Sequence, residues 1–544
     1  MAEWLDDFLF TYETLIHALG IHGLLALSMY CVMALGQLSL GQAAFMGLGA
    51  YTGALLTLKL GLPFWLVLPI SALVPALVAL LIGGPTLRLS GVYLAIATIA
   101  LGEVLRVLYI NAESLTGGAL GLSGIPQKAS LGLVYGLLAL CIAGFWAIGR
   151  SKIGRAMEAM REDEMAAGVM GVNLPLYKLG ALVASAMLAG LAGSLAAHSN
   201  SFIGPNEYGF ETAVTILSFA LLGGIGTPIA PVVGAVVLTA LPEVLRPPGG
   251  FPSGHQRVDH RAGGSVPAAW HRPLPPAAGA MSALLSARGL TMQFRGLLAV
   301  NAVDVEVAAG SVHGIIGPNG AGKTTFFNLI SGLLRPTSGT LTLDGRDVTA
   351  LPPYARTRMG LARTFQNIRM FADMSVLENV MTGMHTRLKA PGWSAVLRLP
   401  GFRAEEHAAK ADAMELLEFV GLADKANGRS GSLAYGEQRR LEIARALASR
   451  PRLLLLDEPA AGMNPAETRE LAVLLKQLGQ RDVSLLLVEH DMGFVMDLCD
   501  RITVLNFGRK IAEGGPREIR NDPAVIEAYL GSKVAERLAK AHGA

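Results

Sequence analysis

Over roughly the first 245 positions, apolar residues recur in long unbroken runs and charged residues keep to the gaps between them. Runs near 15–36, 63–83, 92–110, 131–149 and 179–198 each approach the ~20 residues a helix needs to cross about 30 Å of hydrocarbon. Shorter runs interrupted by glycine lie at 43–60, 212–223 and 229–245. Broken apolar helices are tolerated in a bilayer only where other helices or a water-lined path cover the freed backbone. They suit a translocation pathway, and tight packing on small residues is the plainer alternative. From Met281 onward, short β-rich runs, glycine turns and charged amphipathic helices alternate instead, which is the pattern of an α/β domain. The pattern therefore predicts an α-helical transmembrane domain over 1–246, a polar linker over 247–280 and an α/β domain over 281–544.

Composition sharpens this division. A chain of 544 residues is too long for one compact core. With 52% hydrophobic residues, 16% charged and a mean hydropathy of +0.45, the average is too apolar for a wholly soluble protein. The net charge of +3 supplies no basic stripe to follow a phosphate backbone, so nucleic acid is not an expected partner. Cys31, Cys141 and Cys499 match no metal-ligand spacing and read as small core hydrophobes. The opening Met-Ala-Glu-Trp-Leu-Asp-Asp has no basic leader, so no cleaved signal peptide is expected.

Positive charge orients the apolar half. Arg150, Lys152, Arg155, Arg161 and Lys178 gather in the loop 150–178, and Arg88 lies in the loop 84–91. Both loops then face the cytoplasm, while 111–130 and 199–211 face outside. Glu103 and Arg106 share one helical face inside an apolar run, where mutual pairing is the natural state and a role in the pathway the alternative. Gly154 to Glu164, followed by Ala166-Ala167-Gly168 and Gly171-Val-Asn173, reads as a short helix, a glycine break and a turn.

The α/β half carries the chemistry. Ser311 to Ile316 reads as a strand leading into Gly317-Pro-Asn319-Gly320-Ala-Gly322-Lys323-Thr324-Thr325, with a helix after it. This is a phosphate-binding loop in its expected setting. Its glycines let backbone N–H groups curl around phosphates, Lys323 reaches the β and γ phosphates of ATP, and the Thr324 hydroxyl suits Mg²⁺. Farther along, Leu453 to Leu456 reads as a buried parallel strand ending in Asp457-Glu458-Pro459. At that strand end Asp457 would hold Mg²⁺ and Glu458 would act as general base toward the attacking water.

Between these motifs, Leu433-Ala434-Tyr435-Gly436-Glu437-Gln438-Arg439-Arg440 opens a periodic helix. It resembles the signature of the ABC transporter family, in which backbone N–H groups at the helix start meet the γ phosphate held by a partner subunit. The usual serine is Ala434 here, a variant that the branched-chain amino-acid ATPases tolerate. The same resemblance implies that Phe294 stacks on adenine, although a strand Phe is as often core. It implies that Gln366 is the Q-loop residue sensing Mg²⁺ and water, and that His490 is the switch histidine touching the γ phosphate. Residues 368–432 would form a helical subdomain, 460–465 the dimer-contacting loop, and 154–173 the coupling helix. In the apolar half, Gly36 to Tyr51, Arg88 to Thr98, Gly102 to Arg106 and Thr116-Gly-Gly118 resemble permeases of hydrophobic amino-acid uptake. Ala528-Tyr529-Leu530-Gly531 is similar to the close of the branched-chain subgroup.

The resemblance implies an α-helical permease followed by a P-loop ABC ATPase, working as an ATP-driven importer of branched-chain amino acids in the bacterial inner membrane. Expected partners are a second ABC ATPase subunit, the same or homologous, a second permease subunit, a periplasmic substrate-binding protein and the lipid bilayer. A urea or short-amide importer is the close alternative. A non-transport ABC ATPase would need tandem cassettes and no apolar spans. One feature conflicts: counting crossings leaves Arg246 outside, whereas the ATPase from Met281 must be inside, and polar 247–280 cannot span. A frame change after Arg246 that replaced a last helix, with Met281 as the ATPase's own start, accounts for the conflict. The alternative is a natural fusion with a flexible linker and a re-entrant hairpin over 212–245.

Overall fold

A computed structural model describes residues 2–86, 91–244, 283–479 and 482–530. The chain divides into two compact units, one drawn mainly from 1–161 and 174–272, the other from 162–173 and most of 273–544. Arg88, the stretch 247–280, Met281 and Gly531 lie outside the described residues, and with them the join between the halves.

The first unit is helical. Its elements are α1 (Ala2–Met33), α2 (Gln42–Leu58), α3 (Phe64–Thr86), α4 (Val92–Asn111), α5 (Leu131–Gly149), α6 (Lys152–Glu162), α7 (Glu164–Val169), α8 (Leu174–Asn200), α9 (Phe210–Gly223) and α10 (Ile229–Val244). Among the described residues, five helices are long and apolar enough to cross a membrane: Tyr12–Met33, Phe64–Pro85, Val92–Asn111, Leu131–Gly149 and Leu174–Asn200. They match the five long runs, and the first run stops short because Gly36 turns the chain with φ +72°.

Backbone contact holds the centre of this unit together. A side chain at Gly49 would meet the Gly190 carbonyl at 2.1 Å, and one at Gly193 would meet the Met46 carbonyl at 2.0 Å. Helices α2 and α8 therefore touch without intervening side chains, as small residues allow in membrane packing. Buried polar groups join the same seam: Ser28 Oγ lies 3.0 Å from Ser185 Oγ, and Gln42 Nε2 donates to Ser185 Oγ at 3.2 Å. Glu103 and Arg106 pair at 2.8 Å, both buried, and Arg106 also donates to Asn206 at 3.3 Å. The structural reading of that pair is the one observed. At the same end, Leu122–Ser123 pairs antiparallel with Phe202–Ile203, so the loops 111–130 and 199–211 lie on one side of the bundle, as the charge pattern predicts.

Two expectations are corrected. The short helix expected at 154–164 is present as α6, but the stretch 150–178 also contains α7 and the start of α8, where Lys178 is buried. The break within it is Asp163 and not a glycine: its carboxylate caps α7 by accepting from Ala166 N at 2.9 Å. Gly168 stays helical and Gly171, at φ +93°, makes the turn. Asp caps because its oxygen satisfies an orphan N–H of the first turn.

Helices α9 and α10 form an antiparallel hairpin, with Gly223 against the Ala230 carbonyl and Gly234 against the Phe219 carbonyl. It begins beside the 202–208 loop, and its tip at 225–228 lies where α1 and α5 end.

The second unit contains two sheets. The elements are β1 (Leu285–Phe294), β2 (Leu297–Val307), β3 (Val312–Ile316), β4 (Ser338–Leu343), β5 (Arg346–Asp347), β6 (Leu361–Arg363), β7 (Leu453–Asp457), β8 (Ser484–Val488), β9 (Arg501–Asn506) and β10 (Arg509–Gly514). The larger sheet runs β10-β9-β3-β8-β7-β6 and is parallel except for β10. The smaller, β2-β1-β4-β5, is antiparallel. Strands β3, β7 and β8 are buried along their whole length, which explains the apolar runs Leu453–Leu456 and Leu485–Val488, and the one imidazole among them, His313, is bonded to Thr503 at 2.9 Å. Between β6 and β7 the described residues form helices and no named strand, including Val376–Gly383, Pro400–Phe419 and Tyr435–Leu447.

The backbone seam yields a test. Gly193→Val should destabilise the purified chain by roughly 1–3 kcal/mol through overpacking, read as a lower midpoint of thermal unfolding in detergent. Gly180→Val, on the same helix with open space around it, should leave the midpoint unchanged.

Candidate active site

The phosphate-binding loop spans the gap between β3 and the helix Lys323–Ser331. Gly317, Gly320 and Gly322 have φ of +153°, +79° and +97°, a region that favours glycine. Space forbids side chains as well: a Cβ on Gly317 would sit 2.1 Å from the Leu505 carbonyl, and one on Gly322 would sit 2.4 Å from that of Ala299. Lys323 is buried and donates to the carbonyls of Gly317 at 2.6 Å and Pro318 at 3.0 Å. Burial lowers its pKa, opposed by Glu458 and Asp457. Asn319, Gly320 and Thr324 are exposed and Thr325 is half-buried, leaving the loop's outer face open to a ligand.

Strand β7 delivers the two acids. Asp457 is 2% exposed and its Oδ2 accepts from Arg363 Nη2 at 2.8 Å. Arg363, on the edge strand β6, also donates to Asn328 Oδ1 and Ser331 Oγ, each at 2.7 Å. One guanidinium thus ties the acid strand to the helix after the phosphate loop. Burial pushes the Asp457 carboxyl above the ordinary carboxylate range, against the pull of Arg363. Asp457 Oδ1 is buried with no hydrogen-bond partner. A carboxylate oxygen left open beside a phosphate loop fits a divalent cation, bound directly or through water.

Glu458 has φ +47°, an uncommon conformation for a residue with a side chain and one that concentrates at functional sites. Its N–H donates to the Val488 carbonyl at 2.9 Å, anchoring the turn to the neighbouring strand. The side chain then lies between two expected partners: Gln366 Nε2 donates to Oε2 at 2.9 Å, and His490 Nε2 lies 2.6 Å from Oε1. Gln366, Glu458 and His490 come from three separated motifs and form one hydrogen-bonded row.

Four positioning groups were not legible in advance. Glu489 is buried and accepts from Ala460 N at 2.7 Å and His490 N at 3.0 Å, fixing the turns after β7 and β8 together. On the helix Tyr435–Leu447, Arg439 donates to the carbonyls of Phe365 at 2.6 Å and Gln366 at 2.8 Å, and Glu442 accepts from Phe365 N at 3.1 Å. Arg445 reaches the Arg369 carbonyl at 2.5 Å. All three side chains are fully buried, so the backbone carrying Gln366 is clamped to the signature helix. The available signal was polar residues on an otherwise apolar helical face, which demand buried partners.

The signature residues form a separate group. Ala434 is the N-cap, and without a hydroxyl the cap keeps only the reciprocal bond, Ala434 N to Glu437 Oε2 at 3.2 Å. Glu437 also pairs with Lys425 at 2.6 Å. Leu433 is buried, and Gly436 packs so closely on Glu467 that a Cβ would lie 2.7 Å from Oε1. Tyr435 donates to the Ala461 carbonyl at 3.0 Å. Among the described residues, no hydrogen bond links 433–437 to 317–325. Phe294 is 41% exposed near the β1–β2 turn, so the core alternative does not hold. Its strand partner Leu297 lies two residues from Ala299, which touches Gly322.

Residues 162–173 belong to this unit. Asp163 pairs with Arg369 at 2.5 Å, the Thr357 hydroxyl donates to the Val169 carbonyl at 2.8 Å, and Asp373 N donates to Glu162 Oε2 at 3.4 Å.

Residues 11–257 match the family described as the permease component of the branched-chain amino acid transport system. Residues 300–461 match the ABC transporter family and 509–535 the branched-chain amino acid ATP-binding cassette transporter family. The high-affinity branched-chain amino acid transport ATP-binding protein LivG of Salmonella typhimurium is 49% identical over 249 residues, covering 46% of this chain and 98% of LivG. The chain belongs to the branched-chain amino acid ABC transporter family. In this transporter a permease and an ABC ATPase share one polypeptide, so it is a membrane protein that binds ATP and couples ATP hydrolysis to transport. BraF of Pseudomonas aeruginosa, another high-affinity branched-chain amino acid transport ATP-binding protein, is 48% identical over 249 residues, 46% of this chain and 98% of BraF. A nucleotide-free ATP-binding cassette from an ABC transporter is 31% identical, covering 46% of this chain and 100% of that one, with a TM-score of 0.41.

Arg363→Met should leave Asp457 as an uncompensated buried charge and destabilise the ATPase half by about 3–5 kcal/mol. Thermal denaturation of the full chain checks this, and the double variant Arg363→Met with Asp457→Asn should recover much of the loss.

Proposed function

We propose that the chain imports branched-chain amino acids across the bacterial inner membrane, with Glu458 as general base for the ATP hydrolysis that drives import. The observation that carries the reading is the Gln366–Glu458–His490 row beside Lys323 on a chain that is also a permease. Glu458 accepts the proton of the water that attacks the γ phosphate, and Gln366 and His490 hold that water and the phosphate in line. Lys323, now bonded to carbonyls of its own loop, transfers its donors to the β and γ phosphate oxygens. Phe294 offers its exposed ring to adenine. Asp457, Thr324 and Gln366 would hold Mg²⁺, which would supply positive charge to the phosphate oxygens.

The signature residues Leu433, Ala434, Tyr435, Gly436 and Glu437 lack any bond to this chain's own phosphate loop, which favours their serving the nucleotide of a second ATPase subunit. A homologous permease would complete the pathway, and a periplasmic binding protein would deliver substrate. The permease family and the relatives LivG and BraF all carry branched-chain amino acids in their descriptions, which favours that substrate over urea. The domain limits 1–246 and 281–544 are our reading of the sequence, with 247–280 between them.

Glu458→Gln should keep ATP binding and lose at least about a hundredfold in hydrolysis, measured as phosphate release in proteoliposomes. Unchanged turnover would remove Glu458 as base. Uptake of labelled leucine, with none of labelled urea, is expected once the cognate binding protein is supplied.

A further inference from the structure

Where α1 and α5 end and the α9–α10 hairpin turns, the helical unit contains a cavity of about 230 Å³. Tyr30, Phe145 and Trp146 form aromatic walls, with Tyr30 and Phe145 edge-to-face at 5.7 Å between centroids. The rim is basic. The Arg150 guanidinium stacks 3.6 Å from the centroid of the Trp146 ring, and Arg161 also lines the cavity. Glu158, also in the lining, pairs with Arg161 at 3.1 Å. Among the described residues no carboxylate lies within ion-pair distance of Arg150, so the cavity holds one uncompensated positive charge. The remaining wall is largely backbone and small residues from the loop at 225–228 and the glycines at 149 and 154, which leaves room beside the cations.

Location gives this charge its meaning. The cavity opens at the ends of two apolar helices, on the side where Arg150, Lys152, Arg155 and Arg161 concentrate. Aromatic rings beside arginines at that depth are the usual occupants of the headgroup layer, and basic pockets between helices on the cytoplasmic side recognise anionic headgroups. Helix α5 is also the least covered of the five long apolar helices, with 17% of its apolar window buried. Leu140, on that helix, is 68% exposed, so acyl chains would find an apolar surface leading away from the cavity.

We propose that this cavity binds the headgroup of an anionic phospholipid, its phosphodiester oxygens accepting from Arg150 and Arg161 and its chains lying along α5. The proposal rests on the reading that this end of the bundle faces the cytoplasm. A free phosphate shares the headgroup chemistry but would leave the aromatic walls and α5 uncovered. Arg161 stands on the helix that runs directly into the 162–169 segment, so an occupied site would brace that helix.

The test uses the full chain in nanodiscs of phosphatidylcholine with added phosphatidylglycerol, reading retained lipid by mass spectrometry. Wild type should retain phosphatidylglycerol selectively, with about a fivefold loss for each of Arg150→Gln and Arg161→Gln and retention kept by Arg150→Lys. Equal retention by the double glutamine variant and wild type would overturn the proposal. So would displacement of the lipid by millimolar inorganic phosphate, which would mark a soluble-anion site. ATP hydrolysis and leucine uptake in phosphatidylcholine alone should be the same for Arg150→Gln, which lies outside the 154–173 segment, and wild type. Their loss in both proteins would count against the transport reading, and leave the lipid measurement standing.

Discussion

The Arg363–Asp457 ion pair is the contact on which the ATPase half converges. Burying a carboxylate at the end of an all-apolar strand is costly unless a cation and further hydrogen bonds accompany it. Arg363 meets that cost and simultaneously grips Asn328 and Ser331, so one side chain sets the acid strand, the edge strand and the helix after the phosphate loop at fixed separations. Glu458 follows Asp457 and inherits its position. The left-handed backbone there, anchored by the Val488 carbonyl, turns the next carboxylate out of the sheet toward Gln366 and His490.

Two kinds of packing logic coexist in the chain. The helical unit lacks a hydrophobic drive between helices if lipid surrounds it, and gains cohesion from backbone-to-backbone approach at glycines and from buried hydroxyls. The α/β unit has the ordinary drive and spends polar groups on position: Arg439, Glu442 and Arg445 fix the loop carrying Gln366, and Glu489 fixes the turns carrying Glu458 and His490. The polar groups of the first unit hold helices, whereas those of the second aim side chains.

The apolar runs gave the five long helices to within a few residues because length and hydropathy are local properties. The phosphate loop, the acid pair, Gln366 and His490 were legible for the same reason, each being a short motif next to a strand. What the sequence hid was conditional on tertiary contact. Lys178 buried inside a helix and the Arg439–Glu442–Arg445 clamp depend on tertiary packing, the clamp's partners lying 73 to 77 positions away, whereas the Asp163 cap is a local bond three residues long that the glycine-break reading passed over. The short helix expected from Gly154 to Glu164 is present as Lys152–Glu162, and the glycine break expected after it is instead made by Asp163. Residues 247–280 lie outside the described structure, so the conflict of sidedness at Arg246 stands as the sequence left it.

The placement of Arg363 on an edge strand has a consequence for how the protein matures. An edge strand pairs on one side only, and until β6 docks, Asp457 has no cation to stabilise its charge. A chain caught before that step would also lack the tie that holds Asp457 against Asn328 and Ser331, and with it the fixed separation between the acid strand and the helix after the phosphate loop. The geometry of the acid strand is therefore complete only when the sheet is closed at its edge.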